Sequence, residues 1–469
     1  MNIIFLDNIY LELHMQQMSW HEDERDIPVL DEVDVLIAGG GPSGVAAAIG
    51  AARTGAKTML VESYGFLGGM WTAGLVLTLA GFNSWLSPYQ RCVDGVAGLW
   101  LREAVAQGFA EDNAGWVLNS EPEGMKLVAD QIVLDAGVEI LFHTRVTAPI
   151  VKDGIVGGVI VENLDGRSAI LAKVVVDCTG NGEVYARAGA GFEKSDQMQP
   201  LTLAFDIGNI EADPLVSHTE PRCLPIGPEP TEITGKVLRE NASRRLDIHF
   251  DYQKFNQDYK KGLLPLFGGP WTGGIWKDVA WMNTVRVIAD GSDAKDKTRA
   301  EIEGRRNAFA LARYYFEHVP GFEHGRIQRL AAEIGVRETR RLKGLYVLSG
   351  EDIKNSRRFD DVIGLGCWAI DVHPRTAAAN HSLFAPLPFD IPYRILVPES
   401  LEGLLVAGRS VSCDREALAS IRVGATCGVT GHAAGVAAGL CVRLGVSPRE
   451  MDVRRLQQTL LEQHAILHV

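Results

Sequence analysis

Short apolar runs that stop on glycine alternate with alanine-rich segments in the first third of the chain and again near its end. Residues 34–38 (DVLIA) have the uninterrupted apolar pattern of a strand covered on both faces. Residues 43–54 are alanine-rich and free of proline, which predicts a helix packed closely on a sheet. Residues 58–61 (TMLV) make the next strand, which ends at Glu62. Strand, tight glycine turn, helix and strand together form one βαβ unit. The alternation continues with a helix over 123–137 and a strand over 138–146. Two β runs over 154–162 and 168–176 meet at an Asp165-Gly166 turn, and the second halts at Thr179-Gly180.

The middle of the chain changes character. From about residue 192 to 348 it is richer in tryptophan, proline and charge, with one long helix over 294–318. The strand pattern returns at 404–407, and 426–444 is again alanine- and glycine-rich. The expected organisation is an N-terminal extension (1–26), a first nucleotide-binding part (27–190), an inserted substrate or cap region (191–360), a second nucleotide-binding part (361–456) and a tail (457–469). A length of 469 residues fits two or three such units.

The first glycine run gives this organisation a chemistry. Gly39-Gly40-Gly41-Pro42-Ser43-Gly44 satisfies G-x-G-x-x-G between a strand and a helix. The first glycine allows the turn, the second lets backbone approach a pyrophosphate, and the third lets helix and strand pack closely. Free amides at the helix start and the helix dipole then favour phosphate. Glu62 follows Gly41 by 21 residues, close to the spacing of roughly 20 expected for a carboxylate that accepts from ribose hydroxyls. A second glycine-rich loop, Ser63 to Gly74, comes directly after that strand and includes Gly68, Gly69, Met70, Trp71 and Thr72. So much bare backbone there suits a ligand that continues past the pyrophosphate, as FAD does, better than NAD.

Composition narrows the partners. Net charge is −13, which gives no general attraction to nucleic acid or to an anionic membrane. The seven cysteines contain no Cys-x-x-Cys pair, so they read as reduced thiols in a cytoplasm, without a dithiol or zinc site. No run of about 18 apolar residues stands out as a membrane span, and residues 1–20 lack the pattern of a signal peptide. The histidines show no metal-ligand spacing, so no metal is expected. The expected partners are a small-molecule substrate and a second copy of the chain in a homodimer.

Residues 35–74, 123–146, 176–180 and 391–440 resemble the broad bacterial family of FAD-dependent oxidoreductases with a glutathione-reductase-like FAD fold. The motifs that carry the likeness are GGGPSG, Glu62 and GFLGGMWTAG at the start, and IPYR, LLVAGR and EALASIR towards the end. The likeness is weakest over 192–278. It implies an α/β fold, a Rossmann-like FAD-binding domain interrupted by an α+β substrate domain. It also implies that Val146 meets the adenine side through its backbone, and that Thr179-Gly180 turns towards the cofactor, with Cys178 where alanine is usual. Gly408-Arg409 would lie near the ribityl and phosphate region. Gly424 to Thr426 would open the last helix towards flavin N1 and O2, where reduced flavin carries negative charge that a helix N-terminus stabilises.

No second G-x-G-x-x-G with a following helix and acid is present, so no dedicated NAD(P)H domain is expected. The leading reading is a dehydrogenase or oxidase that passes a hydride from a small organic substrate to flavin. A flavin monooxygenase drawing on NAD(P)H and oxygen is one alternative, and a non-catalytic FAD-binding protein is another.

Candidates for the chemistry lie where the middle region rejoins the sheet. Asp371 and His373 alternate on one strand face, as an orienting acid and a base would, or as a strand-end pair held by backbone. Arg394 in IPYR, with Arg337 or Arg340, is placed to clamp a carboxylate, although Glu338 would also pair with a neighbouring arginine. Asn283 and Arg286 alternate less neatly. Cys427 at the start of the last helix is either a thiol activated by the dipole or a packed one. His432 reads as structural. Trp271, Trp276 and Trp281 line either a substrate site or a core.

Overall fold

The computed structural model describes residues 21–86, 88–112, 117–211, 213–215, 224–225, 230–231, 246–249, 252–269, 271–276, 278–375 and 382–469. Residues 1–20 of the expected extension, Cys223, and the side chains of Trp271 and Trp276 lie outside the described residues.

The first βαβ unit forms as its pattern requires. Strand β1 (Val29–Ala38) leads through the glycine turn into helix α1 (Pro42–Ala52) and then strand β2 (Thr58–Val61). Val35 to Ala38 are each 0% exposed, because they are covered on both faces and flanked by strands on both sides. Helix α2 (Pro122–Asp135) follows, started by the Glu121 carboxylate, which accepts from the backbone of Glu123 and Gly124. The expected strand over 138–146 is two strands. β3 (Glu139–Leu141) runs parallel to β2, and β4 (Arg145–Lys152) turns off to pair antiparallel with β5 (Ile155–Asn163). The break falls at His143, whose φ of 50° no strand residue adopts. It is held by hydrogen bonds from His143 N to Tyr64 O and from Thr144 N to Glu62 O. Continuous apolar periodicity hid this change of direction.

Strand β6 (Gly166–Asp177) is the hinge of the sheet. Its first half pairs antiparallel with β5, and it runs parallel to β1 along most of its length. Its last three residues also pair parallel with β13 (Leu404–Val406), which returns from the far end of the chain. The seven strands run β3-β2-β1-β6-β5-β4, with β13 on the free side of β6. The fold is therefore α/β around a sheet with a parallel core.

A second, five-stranded antiparallel sheet has the order β8-β9-β10-β7-β11. Its strands are β7 (Phe205–Gly208), β8 (Leu246–His249), β9 (Trp271–Trp276), β10 (Val279–Met282) and β11 (Arg326–Leu330). Helix α3 (Ala294–His318) matches its expected bounds and buries Ala300, Gly304, Ala308, Leu311 and Tyr315, one face at helical spacing. Trp281 packs into this second core, which decides its role as core. The chain then returns through the short strand β12 (Ile370–Val372) to β13.

Helix α4 (Gly424–Leu444) runs against α1 with almost no side chain between them. A Cβ at Gly431 would stand 2.1 Å from Ser43 O, at Gly435 2.0 Å from Ala47 O, and at Gly439 2.0 Å from Thr54 Oγ1. Glycine every fourth residue thus lets the two backbones touch and keeps the helices parallel. Among the described residues α4 alone is long and apolar enough to cross a membrane, and nearly all of it is buried inside the fold. That run was not apparent from composition, because His432 and Arg443 interrupt it.

Candidate functional site

Two glycine loops meet over the carboxyl end of the parallel strands. Gly39 (φ 102°) turns the chain against Cys178 and Thr179, and a Cβ at Gly44 would stand 1.8 Å from Gly39 O. Gly41 faces open space, with nothing nearer its absent Cβ than Gly69 Cα at 4.0 Å. The second loop locks to the first through Gly68 N donating to Gly40 O at 2.8 Å. Thr72 Oγ1 closes the second loop by donating to Leu67 O at 2.8 Å. Glu62 ties both together: Oε2 accepts from Gly40 N at 2.6 Å, and Oε1 accepts from Ser63 Oγ at 2.9 Å and Tyr64 N at 3.0 Å. Two carboxylate oxygens with lone pairs to spare keep capacity for ribose hydroxyls.

The other predicted cofactor residues converge on the same space. Buried Asp177 accepts from Thr179 N, Thr179 Oγ1, Val184 N and Tyr185 N, which shapes the Thr179-Gly180 turn. Gly408 (φ 83°) donates from its N–H to Thr430 Oγ1, and a Cβ there would press on Ser43 Oγ at 2.7 Å. The Arg409 guanidinium spans Gly180 O, Val336 O and Asn181 Oδ1. Burial lowers its pKa, yet its role here is to bridge the turn to the loop that carries Val336. The indole of Trp71 lies on Gly424, where a Cβ would come within 2.3 Å, and Met70 Sδ approaches Gly335. Val146 opens β4, and its carbonyl accepts from Arg187 at 3.5 Å.

The residues present fit FAD on three observations. Helices α1 and α4 both start without a side-chain cap, at Gly41 and Val423. The Oγ1 of Thr426 and the Oγ of Ser410 are buried with no hydrogen-bond partner among the described residues. Gly41 leaves the open strip that backbone-to-phosphate approach needs.

Beside the start of α4 stands a cluster of charge. His373 Nε2 lies 3.1 Å from Asp371 Oδ2, so the predicted pair is real and close. The His373 N–H donates to Gln199 Oε1 at 3.0 Å. Arg422, two residues before Gly424, donates to Asp371 O at 3.1 Å and lies 3.6 Å from Asp371 Oδ2. Arg337 and Arg286 both donate to Thr202 Oγ1 at 2.6 Å. Arg337 also donates to Pro200 O, and Arg286 to Val285 O. Burial lowers the pKa of all three arginines, Arg286 to about 10. Burial, helped by Arg337, holds the His373 imidazole well below its ordinary range against the pull of Asp371. His373 is therefore neutral at pH 7.

Not every candidate reached this place. Arg394 forks onto Asp361 with its Nε and Nη2 at 2.9 and 3.1 Å, and 46% of its side chain is exposed. It belongs to a surface pair, because Asp361 lies 33 residues upstream and no local pattern shows their meeting. Arg340 stacks over Phe192 and donates to Asn181 O. Glu338 does pair with a neighbour, Arg341, at 2.8 Å. Burial pushes the Cys427 thiol up to about 12, so the dipole does not activate it. His432 bonds Gln463 and is pushed down to about 4 by burial. Arg422 escaped the sequence reading. It sits at the junction of two helices, capping the C-terminus of Arg415–Ile421 two residues before α4, and no local pattern in the sequence marks it.

The family model described as FAD dependent oxidoreductase matches residues 34–460. The chain belongs to that family. Its cofactor is FAD. This FAD-dependent oxidoreductase is 31% identical over 161 residues to the thiamine thiazole synthase of Methanococcus vannielii, covering 32% of this chain and 58% of that protein. It is 27% identical over 161 residues to the digeranylgeranylglycerophospholipid reductase of Methanoculleus marisnigri, covering 33% and 40%. The chain spans a little over half the length of the thiamine thiazole synthases it matches. Among solved structures it is similar to a geranylgeranyl bacteriochlorophyll reductase-like protein from Thermoplasma acidophilum, with 13% identity, a TM-score of 0.46, and 93% and 84% of the two chains covered. It is also similar to a p-nitrophenol 4-monooxygenase from Pseudomonas putida, with 13% identity, a TM-score of 0.44, and 92% and 85% covered.

Proposed function

We propose that this FAD-dependent oxidoreductase is a dehydrogenase or oxidase that takes a hydride from a small organic substrate. The FAD fold is of the glutathione-reductase-like kind, and residues 191–360 serve as the substrate domain inserted into it. Flavin, when bound, supplies the two-electron acceptor. When bound, FAD would be held at its pyrophosphate by the backbone of Gly39 to Gly44 and the α1 N-terminus, at its ribose by Glu62, and at its flavin end by the α4 N-terminus. His373 takes the proton of the substrate's hydroxyl, and Asp371 fixes which imidazole nitrogen is the acceptor. The observation that carries this reading is the contact of Arg422 with Asp371, which sets the His373–Asp371 pair beside the start of α4.

The test is the visible spectrum of the purified protein, followed without oxygen while alcohols, amines and hydroxy acids are added. Bleaching by one substrate and recovery in air supports the reading. His373→Asn should keep the flavin and bleach about 10²- to 10⁴-fold more slowly. Bleaching by NADPH alone would transfer the assignment to a monooxygenase, and a flavin inert to every donor would make FAD structural.

A further inference from the structure

The cluster beside His373 is built for an anion. Of the three guanidiniums here, Arg286, Arg337 and Arg422, only Arg422 has a carboxylate within 4 Å among the described residues, Asp371 Oδ2 at 3.6 Å. The other nearby acid, Glu338, is already matched by Arg341 at 2.8 Å and by the Gln199 N–H at 3.2 Å. Arg286 and Arg337 spend their bonds on neutral oxygens of Thr202, Pro200 and Val285. Donors are left over: Arg286 Nη2, Arg422 Nε and Gln199 Nε2 are buried with no acceptor among the described residues. Arg286 is 4% exposed and Gln199 0%. Guanidinium nitrogens donate only, so these groups ask for oxygen acceptors with negative charge. Arg422 caps the C-terminus of the short helix Arg415–Ile421 and precedes α4 by two residues, so its buried guanidinium stands at the start of α4 with Nε still asking for an acceptor.

We propose that Arg286, Arg337 and Arg422 bind the carboxylate of a short 2-hydroxy acid and so hold its hydroxyl at His373. This rests on the proton-acceptor role given to His373 above. The His373 backbone N–H bonds Gln199 Oε1 and Arg337 bonds the carbonyl of Pro200, the next residue, so the anionic group and the proton acceptor are near neighbours. A 2-hydroxy acid has its carboxylate on the carbinol carbon itself, whereas a phosphate ester sets further atoms between. An amino acid would bring an ammonium group among three guanidiniums, and like charges at that range repel. Asp371, engaged by His373 and Arg422, keeps the imidazole oriented without occupying the leftover donors.

The experiment is calorimetric titration of the FAD-loaded protein with glycolate, both lactates and both mandelates, beside lactamide, mandelamide and glycerol 3-phosphate. The expected result is that at least one acid binds about tenfold or more tightly than its amide. Arg337→Gln and Arg286→Gln should each weaken that acid about 10- to 100-fold with the flavin spectrum retained. Arg337→Lys, which keeps the charge and loses the fork, should fall between. Where a glutamine variant fails to fold, the lysine variant and the acid-against-amide comparison on the native protein decide. Equal binding of acid and amide, binding of glycerol 3-phosphate alone, no response to any acid, or a response unchanged in the arginine variants overturns the proposal. Bleaching by a neutral alcohol in a protein that ignores the acids would overturn it too, while leaving the oxidoreductase reading intact. An acid that binds through the arginines but never bleaches the flavin would leave this anion site standing and overturn the hydride reading.

Discussion

The space between the two sheets has two unlike walls. The wall on the parallel sheet is made of backbone: Gly39, Gly41, Gly44, Gly69 and Gly408 present amides and carbonyls, with few side chains. The wall towards the second sheet is made of long side chains: Arg286, Arg337 and Arg422, with Thr202 bracing the first two and Gln199 holding His373 beside them. Backbone can bind only what every peptide binds, such as phosphate and hydroxyl, so that wall suits an invariant cofactor. Side chains carry the differences between one chemistry and another, so the second wall suits choice of substrate.

If the two walls differ in this way, they should fail differently. Glu338→Ala should cost about 3–5 kcal/mol in denaturant unfolding, because it leaves buried Arg341 with only the Cys413 carbonyl and a 3.9 Å approach to Glu193. Gly44→Ala should cost about 3 kcal/mol and lose FAD on gel filtration, since its Cβ would stand 1.8 Å from Gly39 O. Retention of FAD by that variant would show that the glycine wall is less strict than its geometry.

The next effect is one of pH. Burial holds folded His432 at about 4 against 6.5 for the free group, so the unfolded chain takes a proton first as pH falls. Stability is then complete above pH 6.5 and lost as pH falls towards 4. Between pH 7.5 and 5 the loss should be about 2 kcal/mol in urea midpoints, and His432→Gln should flatten it. His373 is shifted the same way, so the flavin-bleaching rate should stay level to below pH 6.5. Smallest of all, Arg394→Gln should cost at most about 1 kcal/mol and leave bleaching unchanged, since its pair with Asp361 is half exposed. A large loss of activity there would return Arg394 to the site.

The glycine wall was legible in the sequence because its physics is local. Gly39 to Gly44, the strands beside it and Glu62 sit within 30 residues, and each needs only its neighbours to declare its role. The arginine wall is assembled from residues 199, 286, 337, 371 and 422, and only folding brings these together. The sequence reading therefore named His373, Asp371, Arg337 and Arg394 alike by residue type; the structure brings the first three together and puts Arg394 on Asp361 instead. It ranked Arg286 low and passed over Arg422. The β3–β4 break was missed likewise, because the contacts that turn it, to Tyr64 and Glu62, are some 80 residues away.

The touching glycines of α1 and α4 also fix a length. Gly431 rests on Ser43, at the start of α1, so the seven residues before it carry the N-terminus of α4 about 10 Å beyond that of α1. Two positive helix ends are thereby set at different depths along one elongated ligand, at a separation that cannot drift while the helices are in contact. The pair behaves as a ruler. A four-residue deletion between Gly424 and Gly431 would shorten it by about one turn, roughly 5–6 Å. Such a chain should still hold ADP, which needs only the near mark, and should no longer hold FAD.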